Sequence, residues 1–278
     1  MGSQLLRLGH SPDADDAFMF YALAEGKIDT QGLTFEHILA DIETLNHWAE
    51  EGRLEISAVS VHAFAYVHAH YAILTHGGSF GRNYGPMVVA REAIPIDKLA
   101  GRRIAVPGLL TSAFLTLRLR LPEFEPVVVP FDRVMDAVRE GQAEAGLLIH
   151  EGQLTHTSLG LCKVLDLGEW WQEETSLPLP LGVNVVRKNL GGEVVARVSG
   201  ILRASIAYAL EHRQEALAHA LRFGRGLEVS MADRFVGMYV NDLTLDMGPE
   251  GQKGIDLLLR RGQECGIVPG VDRIEFVS

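Results

Sequence analysis

Short apolar runs recur along this chain at the spacing of a sheet with helical connections. "LLRLGH", "LTFEHILA", "LEISAVS", "RRIAV" and "AGLLIH" each carry the alternation or continuous apolarity of a strand, and turn residues with helical periodicity lie between them. That alternation predicts an α/β protein with a mainly parallel sheet. Local signals mark the helices. "SPDADDAFMFYALAEG" has an acidic first turn, an apolar stripe of Phe18, Tyr21 and Ala22, and a stop at Gly26; "DIETLNHWAEEG" starts at Asp41 and stops at Gly52. The helix after Pro107-Gly108 begins at Thr111 or Ser112, and beyond Glu193 the pattern is helical with few strand signals.

With 278 residues, 47% of them hydrophobic, the chain can bury one large core or two modest ones. No internal repeat divides it. A strand after Gly85-Pro86 and another in "PLPLGVNVVRK" read as two crossings between lobes. They place residues 1–87 plus 183–278 in a discontinuous α/β lobe with C-terminal helices, and 88–182 in an inserted α/β lobe. Two crossings imply a hinge and a cleft.

The formal net charge of −11 leaves no basic stripe for nucleic-acid phosphates and is repelled by anionic lipid. The opening "MGSQLLRLGH" has no apolar export region, Met1-Gly2 is followed by Leu6 where an acylation signal needs Ser or Thr, and no apolar run approaches the roughly 18 residues of a membrane span. A soluble, cytoplasmic protein is expected. Cys162 and Cys265 lack CxxC spacing, which argues against a disulfide framework and a zinc site. There is no HExxH, and His68 and His70, two apart, do not share a helical face. "HGGSFGRNYGP" lacks the GK[ST] ending of a phosphate loop and reads as a glycine-rich connection between lobes; no G-x-S-x-G elbow occurs.

In open α/β sheets ligands bind beyond the carboxyl ends of the strands, beside helix N-termini. The residues there are Ser11 with Asp13, Asp15 and Asp16; Ser60; Thr111 with Ser112; and His150. Hydroxyls and helix-start amides at Ser60, Thr111 and Ser112 suit a carboxylate or sugar hydroxyls, yet Ser, Thr and Asp are also ordinary capping residues, and Asp13 is read as a cap. His62 and His68 are read as helix-surface or packing residues. His150 ends a buried strand, and its imidazole changes charge near neutral pH, which suits proton abstraction; a satisfied structural histidine fits the residues equally well. Glu151 points to the opposite face if the strand continues.

"SPDADDAFMFYAL", "DIETLNHWAEEGRLEISAVS", "GPMVVAR", "IAVPGLLTSAF", "AEAGLLIHEGQLT" and "LPLPLGVNVVRK", in that order along most of the chain, resemble the 1,4-dihydroxy-6-naphthoate synthase family of the futalosine route to menaquinone. The resemblance implies a two-lobed fold like that of the type II periplasmic solute-binding proteins, with the ligand cleft between lobes. It implies cyclic dehypoxanthinyl futalosine as substrate, cleaved to 1,4-dihydroxy-6-naphthoate and a sugar-derived fragment without metal or redox cofactor or an obligate protein partner. By position it makes His150 the general base and assigns substrate contacts to Ala58, Val59, Ser60, Thr111, Ser112 and Ala113. The carboxylates of the opening motif receive no catalytic part. Chorismate dehydratase of the same pathway and a non-catalytic solute-binding protein are the alternatives on a similar scaffold.

Overall fold

The computed structural model describes residues 4–223 and 228–278; Met1 and Gly2 of the acylation motif lie outside them. The chain builds most of one sheet, leaves to build a second, and returns. β1 (Gln4–His10), β2 (Leu33–Leu39), β3 (Ile56–Ser60), β4 (Tyr71–Leu74) and β5 (Ser79–Gly81) come first. β6 (Met87–Ala90), β7 (Arg103–Val106), β8 (Glu125–Val128), β9 (Ala145–Leu148) and β10 (Cys162–Asp166) form the second sheet, in the order β10-β6-β9-β7-β8. β11 (Leu179–Arg187) and β12 (Phe276–Val277) complete the first, ordered β12-β4-β11-β3-β1-β2 with β5 also on β11.

Both sheets are mixed, which corrects the expectation of mainly parallel pairing. β1 runs parallel to β2 and β3, and β7 parallel to β8 and β9. The strands that carry the chain between lobes run the other way: β6 is antiparallel to β9 with Val88 opposite Leu147, and β11 antiparallel to β3 with Val183 opposite Val59. A strand arriving from the other lobe enters the sheet from the opposite end to a strand fed by its own crossover helix, and apolar patterning does not record direction. The helical C-terminal quarter also ends in a strand, β12, whose two residues pair with β4.

Helix ends follow local chemistry. The Asp41 side chain accepts the Thr44 N–H at 3.0 Å and caps the helix Ile42–Glu50, after which Gly52 takes a φ of +65°. The helix Gly192–Glu211 buries Val195, Val198, Ile201, Leu202, Ile206 and Ala209 at helical spacing, against Leu6, Leu8 and Ile56 of the first sheet. Each valine, leucine or isoleucine side chain so withdrawn from water is worth about 1.5–3 kcal/mol. A second apolar cluster runs from the first lobe (Val59, Phe64) into the second (Ile104, Leu115, Leu147), so the lobes share a packed floor beneath the cleft.

Candidate functional site

The carboxyl ends of β1, β3, β7 and β9 converge on a cleft whose space, counted together with the solvent at its mouth, is about 800 Å³. From the first lobe Ser11, Asp13, Asp15 and Asp16 follow β1, and Ala58 and Ser60 come from β3. Opposite them Thr111, Ser112 and Ala113 follow β7, and Ile149 follows β9. β11 supplies Leu181 to Asn184, while Phe235 and Tyr239 come from the helix Val229–Tyr239. Five of the seven expected site residues therefore meet: Ala58, Ser60, Thr111, Ser112 and Ala113. Val59 alternates to the other face of β3 and is fully buried in the core, and His150 is one position beyond the residue that reaches the cleft.

Of the two candidate helix starts, Thr111 is the cap: its hydroxyl accepts the Phe114 N–H at 3.1 Å. Ser112, freed from that task, donates to the Leu181 carbonyl and accepts the His62 N–H at 3.3 Å. Ser60 stands at the N-cap of the helix Val61–Val67 without capping it; Asn46 Nδ2 donates to its hydroxyl at 3.1 Å, and its own N–H donates to Asn46 Oδ1 at 2.8 Å. His62 is buried and bridges the lobes through Nδ1 to the Thr111 carbonyl at 3.2 Å. Burial lowers its pKa to about 4, so the imidazole is neutral. Glu43 makes a further bridge, accepting the Leu109 and Leu110 N–H groups at 2.7 and 3.1 Å. This contact demands glycine at 108, where a β-carbon would lie 2.2 Å from Glu43 Cδ.

The acidic trio is not a set of caps. Asp13 occupies the N-cap position of the helix Ala14–Met19 but makes no cap bond; its carboxylate accepts from the Ser11 hydroxyl at 2.8 Å. Asp16 accepts the Ser11 N–H at 2.6 Å. Burial, with the fields of Asp16 and Asp13 added, pushes Asp15 well above the ordinary carboxylate range; burial likewise raises Asp16 to about 7. These three and Tyr239 are the ionisable side chains among the described residues lining the cleft. The cluster can accept hydrogen bonds from hydroxyl groups and hold a proton near neutral pH.

The His150 ring is seated inside the second lobe. Its Nε2–H donates to the Phe131 carbonyl at 2.8 Å, its Nδ1 accepts the Gly152 N–H at 2.9 Å, and Phe131 stands edge-on at 5.4 Å between centroids. Glu151 Oε2 lies 3.9 Å from Nδ1. Both ring nitrogens are occupied, so a proton from a cleft ligand reaches this imidazole only if the ring turns out of its seat. Among the described residues no group of three or more His, Cys, Asp or Glu side chains is arranged to hold a metal, and no helix is long and apolar enough to cross a membrane.

The sequence reading missed Asn184 and Tyr239. Asn184, a lone amide inside the apolar run "LGVNVV", is a legible sign of a buried polar function. Tyr239 has no such mark; the packing of a distant helix brings it to the cleft.

Two lobes, each on a mixed sheet, around a cleft lined by hydroxyls and carboxyls give the chain a periplasmic-binding-protein-like fold. The alkanesulfonate-binding protein of Xanthomonas axonopodis pv. citri superposes with a TM-score of 0.72 at 13% identity, over 97% of this chain and 96% of its own. A solved protein from Archaeoglobus fulgidus superposes with a TM-score of 0.91 at 46% identity, over 96% of this chain and all of that one. Residues 6–264 match the family model described as menaquinone biosynthesis. The 1,4-dihydroxy-6-naphthoate synthases of Thermus thermophilus and Streptomyces coelicolor are 42% and 36% identical, each over 99% of this chain and all of the relative. The chain belongs to this menaquinone-biosynthesis family and is an enzyme.

Proposed function

We propose that the protein is a carbon–carbon lyase that converts cyclic dehypoxanthinyl futalosine to 1,4-dihydroxy-6-naphthoate and a sugar-derived fragment, with His150 as general base. The observation that carries this reading is the full-length likeness to two enzymes named for that product. The cleft chemistry fits. Ser60 and Ser112 present hydroxyls, and Asp13, Asp15 and Asp16 present acceptors for sugar hydroxyls on the facing wall. The His150 ring turns from its seat toward the cleft and takes an acidic proton from the spiro-cyclised substrate. The bond to the sugar-derived fragment then breaks, an aromatic ring forms, and the proton is returned to the products. The imidazolium formed at His150 holds that proton and returns it; the Asp15–Asp16 pair, able to hold a proton near neutral pH, is a second donor facing the cleft, which regains from solvent any proton it gives.

General base catalysis contributes about a hundredfold to ten-thousandfold. His150→Ala is therefore expected to fold, bind ligand and lose at least a hundredfold in turnover, measured as dihydroxynaphthoate released from the cyclic futalosine derivative with chorismate offered in parallel. Near-wild-type turnover in that variant refutes the role of His150, and turnover of chorismate alone refutes the substrate. A second reading of the base rests on one observation: Asp15 and Asp16 line the cleft, whereas the His150 ring does not. Should His150→Ala retain activity, a pH–rate profile that loses its limb near 7 in Asp16→Asn assigns the base to the carboxyl pair.

A further inference from the structure

We propose that Tyr239 and Gln153 form the clasp that holds the two lobes shut over a ligand and, by doing so, position the turn that carries His150. The Tyr239 hydroxyl donates to Gln153 Oε1 at 2.9 Å, with both residues buried. The partners come from different lobes. Tyr239 ends the helix Val229–Tyr239, which packs against the helix Ala14–Met19 and β5 of the first lobe. Gln153 lies in the short helix Gly152–Thr155 that follows β9 in the second.

Each end of the bond is held in place. The Tyr239 ring lines the cleft and is packed edge-on by Tyr84 at 5.8 Å and Phe235 at 5.2 Å. Burial keeps its phenol well above the ordinary value, so it remains a donor throughout the physiological range. On the other side the Gln153 N–H donates to the His150 carbonyl at 3.0 Å and the Gly152 N–H to His150 Nδ1 at 2.9 Å. Residues 150–153 thus move as one hydrogen-bonded turn. Among the contacts that join the lobes, those of Glu43 and His62 end on the loop 108–112. The Tyr239 bond ends on the turn with the imidazole.

The clasp is also poised. Among the described residues Gln153 Nε2 has no hydrogen-bond partner, and an unpaired buried donor disfavours the state that contains it. Opening the lobes hydrates that amide; closing them gains the phenol bond but leaves the donor unpaired. A closed state balanced in this way is one that ligand contacts in the cleft can tip.

The inference rests on the lyase reading for its kinetic readout and stands without it for its structural one. The test compares full-length wild type, Tyr239→Phe, Gln153→Leu and the double variant. Hydrogen exchange across residues 149–156 and the small-angle scattering radius are measured without ligand, and kcat and KM with the cyclic futalosine derivative. Tyr239→Phe keeps the ring and removes only the donor. The expected result is faster exchange at 149–156 and a larger radius. The kcat is expected to fall about tenfold to a hundredfold, with a smaller change in KM, and the double variant to be no worse than the poorer single one. A residue that merely stabilised the fold would lower the melting temperature and leave kcat alone. Wild-type exchange and radius in Tyr239→Phe, or losses in kcat that multiply in the double variant, overturn the proposal. If wild type releases no dihydroxynaphthoate, the lyase reading fails, and the exchange and radius still decide the clasp.

Discussion

Replacing Asp16 by Asn should stabilise the protein in alkali and leave it little changed in acid. In the folded chain burial raises the Asp16 carboxyl from the ordinary 3.8 to about 7. Below 3.8 the group is protonated folded or unfolded, and it does not oppose folding. Between 3.8 and 7 the folded protein holds a proton that the unfolded chain has released, so folding weakens as pH rises; above 7 the whole penalty for the partly buried charge is present. At about 1.36 kcal/mol per pH unit, that penalty is roughly 4 kcal/mol. Asn keeps an oxygen to accept the Ser11 N–H and brings no charge, so the advantage of Asp16→Asn over wild type should grow by roughly 4 kcal/mol between pH 4 and pH 8. Asp15 adds to it in the same direction, because the Asp16 charge is one of the fields that raise its pKa. Urea unfolding of both proteins at pH 4, 6 and 8 measures the difference, in which the titration of every other group largely cancels. The variant should lose activity as it gains stability, since Asp16 lines the cleft. A stability difference that stays flat across this range, or shrinks as pH rises, refutes the reasoning.

Two substitutions probe the close approaches that glycine permits. Gly108→Ala puts a β-carbon 2.2 Å from Glu43 Cδ and must displace the carboxylate from the Leu109 and Leu110 amides; losing that bridge is worth about 1–3 kcal/mol. The scattering radius should increase and kcat/KM fall about tenfold to a hundredfold, and an unchanged radius with unchanged kcat/KM counts against the bridge as a closure contact. Gly152→Ala puts a β-carbon 2.7 Å from His150 Cε1, an overpacking that costs about 1–3 kcal/mol and pushes the imidazole from its seat. The His150 Nε2–H resonance, protected by the Phe131 carbonyl in wild type, should then broaden or exchange away; its persistence refutes the seat.

Helices were legible wherever their signals are local. Asp41 and Gly52 bound a helix by a side-chain cap and a left-handed turn that involve no distant residue, and either candidate start at Thr111 or Ser112 gave the right turn of chain. Strand direction was not legible, because β6 and β11 carry the same apolar residues whichever way they run. Nor were the partners of the polar residues. Asp13 stands where a cap stands and bonds Ser11 instead, and Ser60 cedes its hydroxyl to Asn46, fourteen positions earlier.

His150 illustrates the limit most sharply. An apolar run that stops at an imidazole announces the end of a strand, and β9 does end there, at Leu148. Which side the imidazole takes is a separate matter, decided by the turn beyond the strand: Ile149 lines the cleft, and the His150 ring is held away from it by the Phe131 carbonyl and the Gly152 N–H. Gly152 then completes the arrangement, because only a residue without a β-carbon leaves room for the ring beside it and an N–H to bind Nδ1. The motif "HEGQ" therefore encodes a seat for the histidine and, through Gln153, a handle on the seat from the opposite lobe. If His150 is the base, its reactivity belongs to the turn and to the lobe that grips it, and the rate at which the ring leaves Phe131 becomes a step of the reaction.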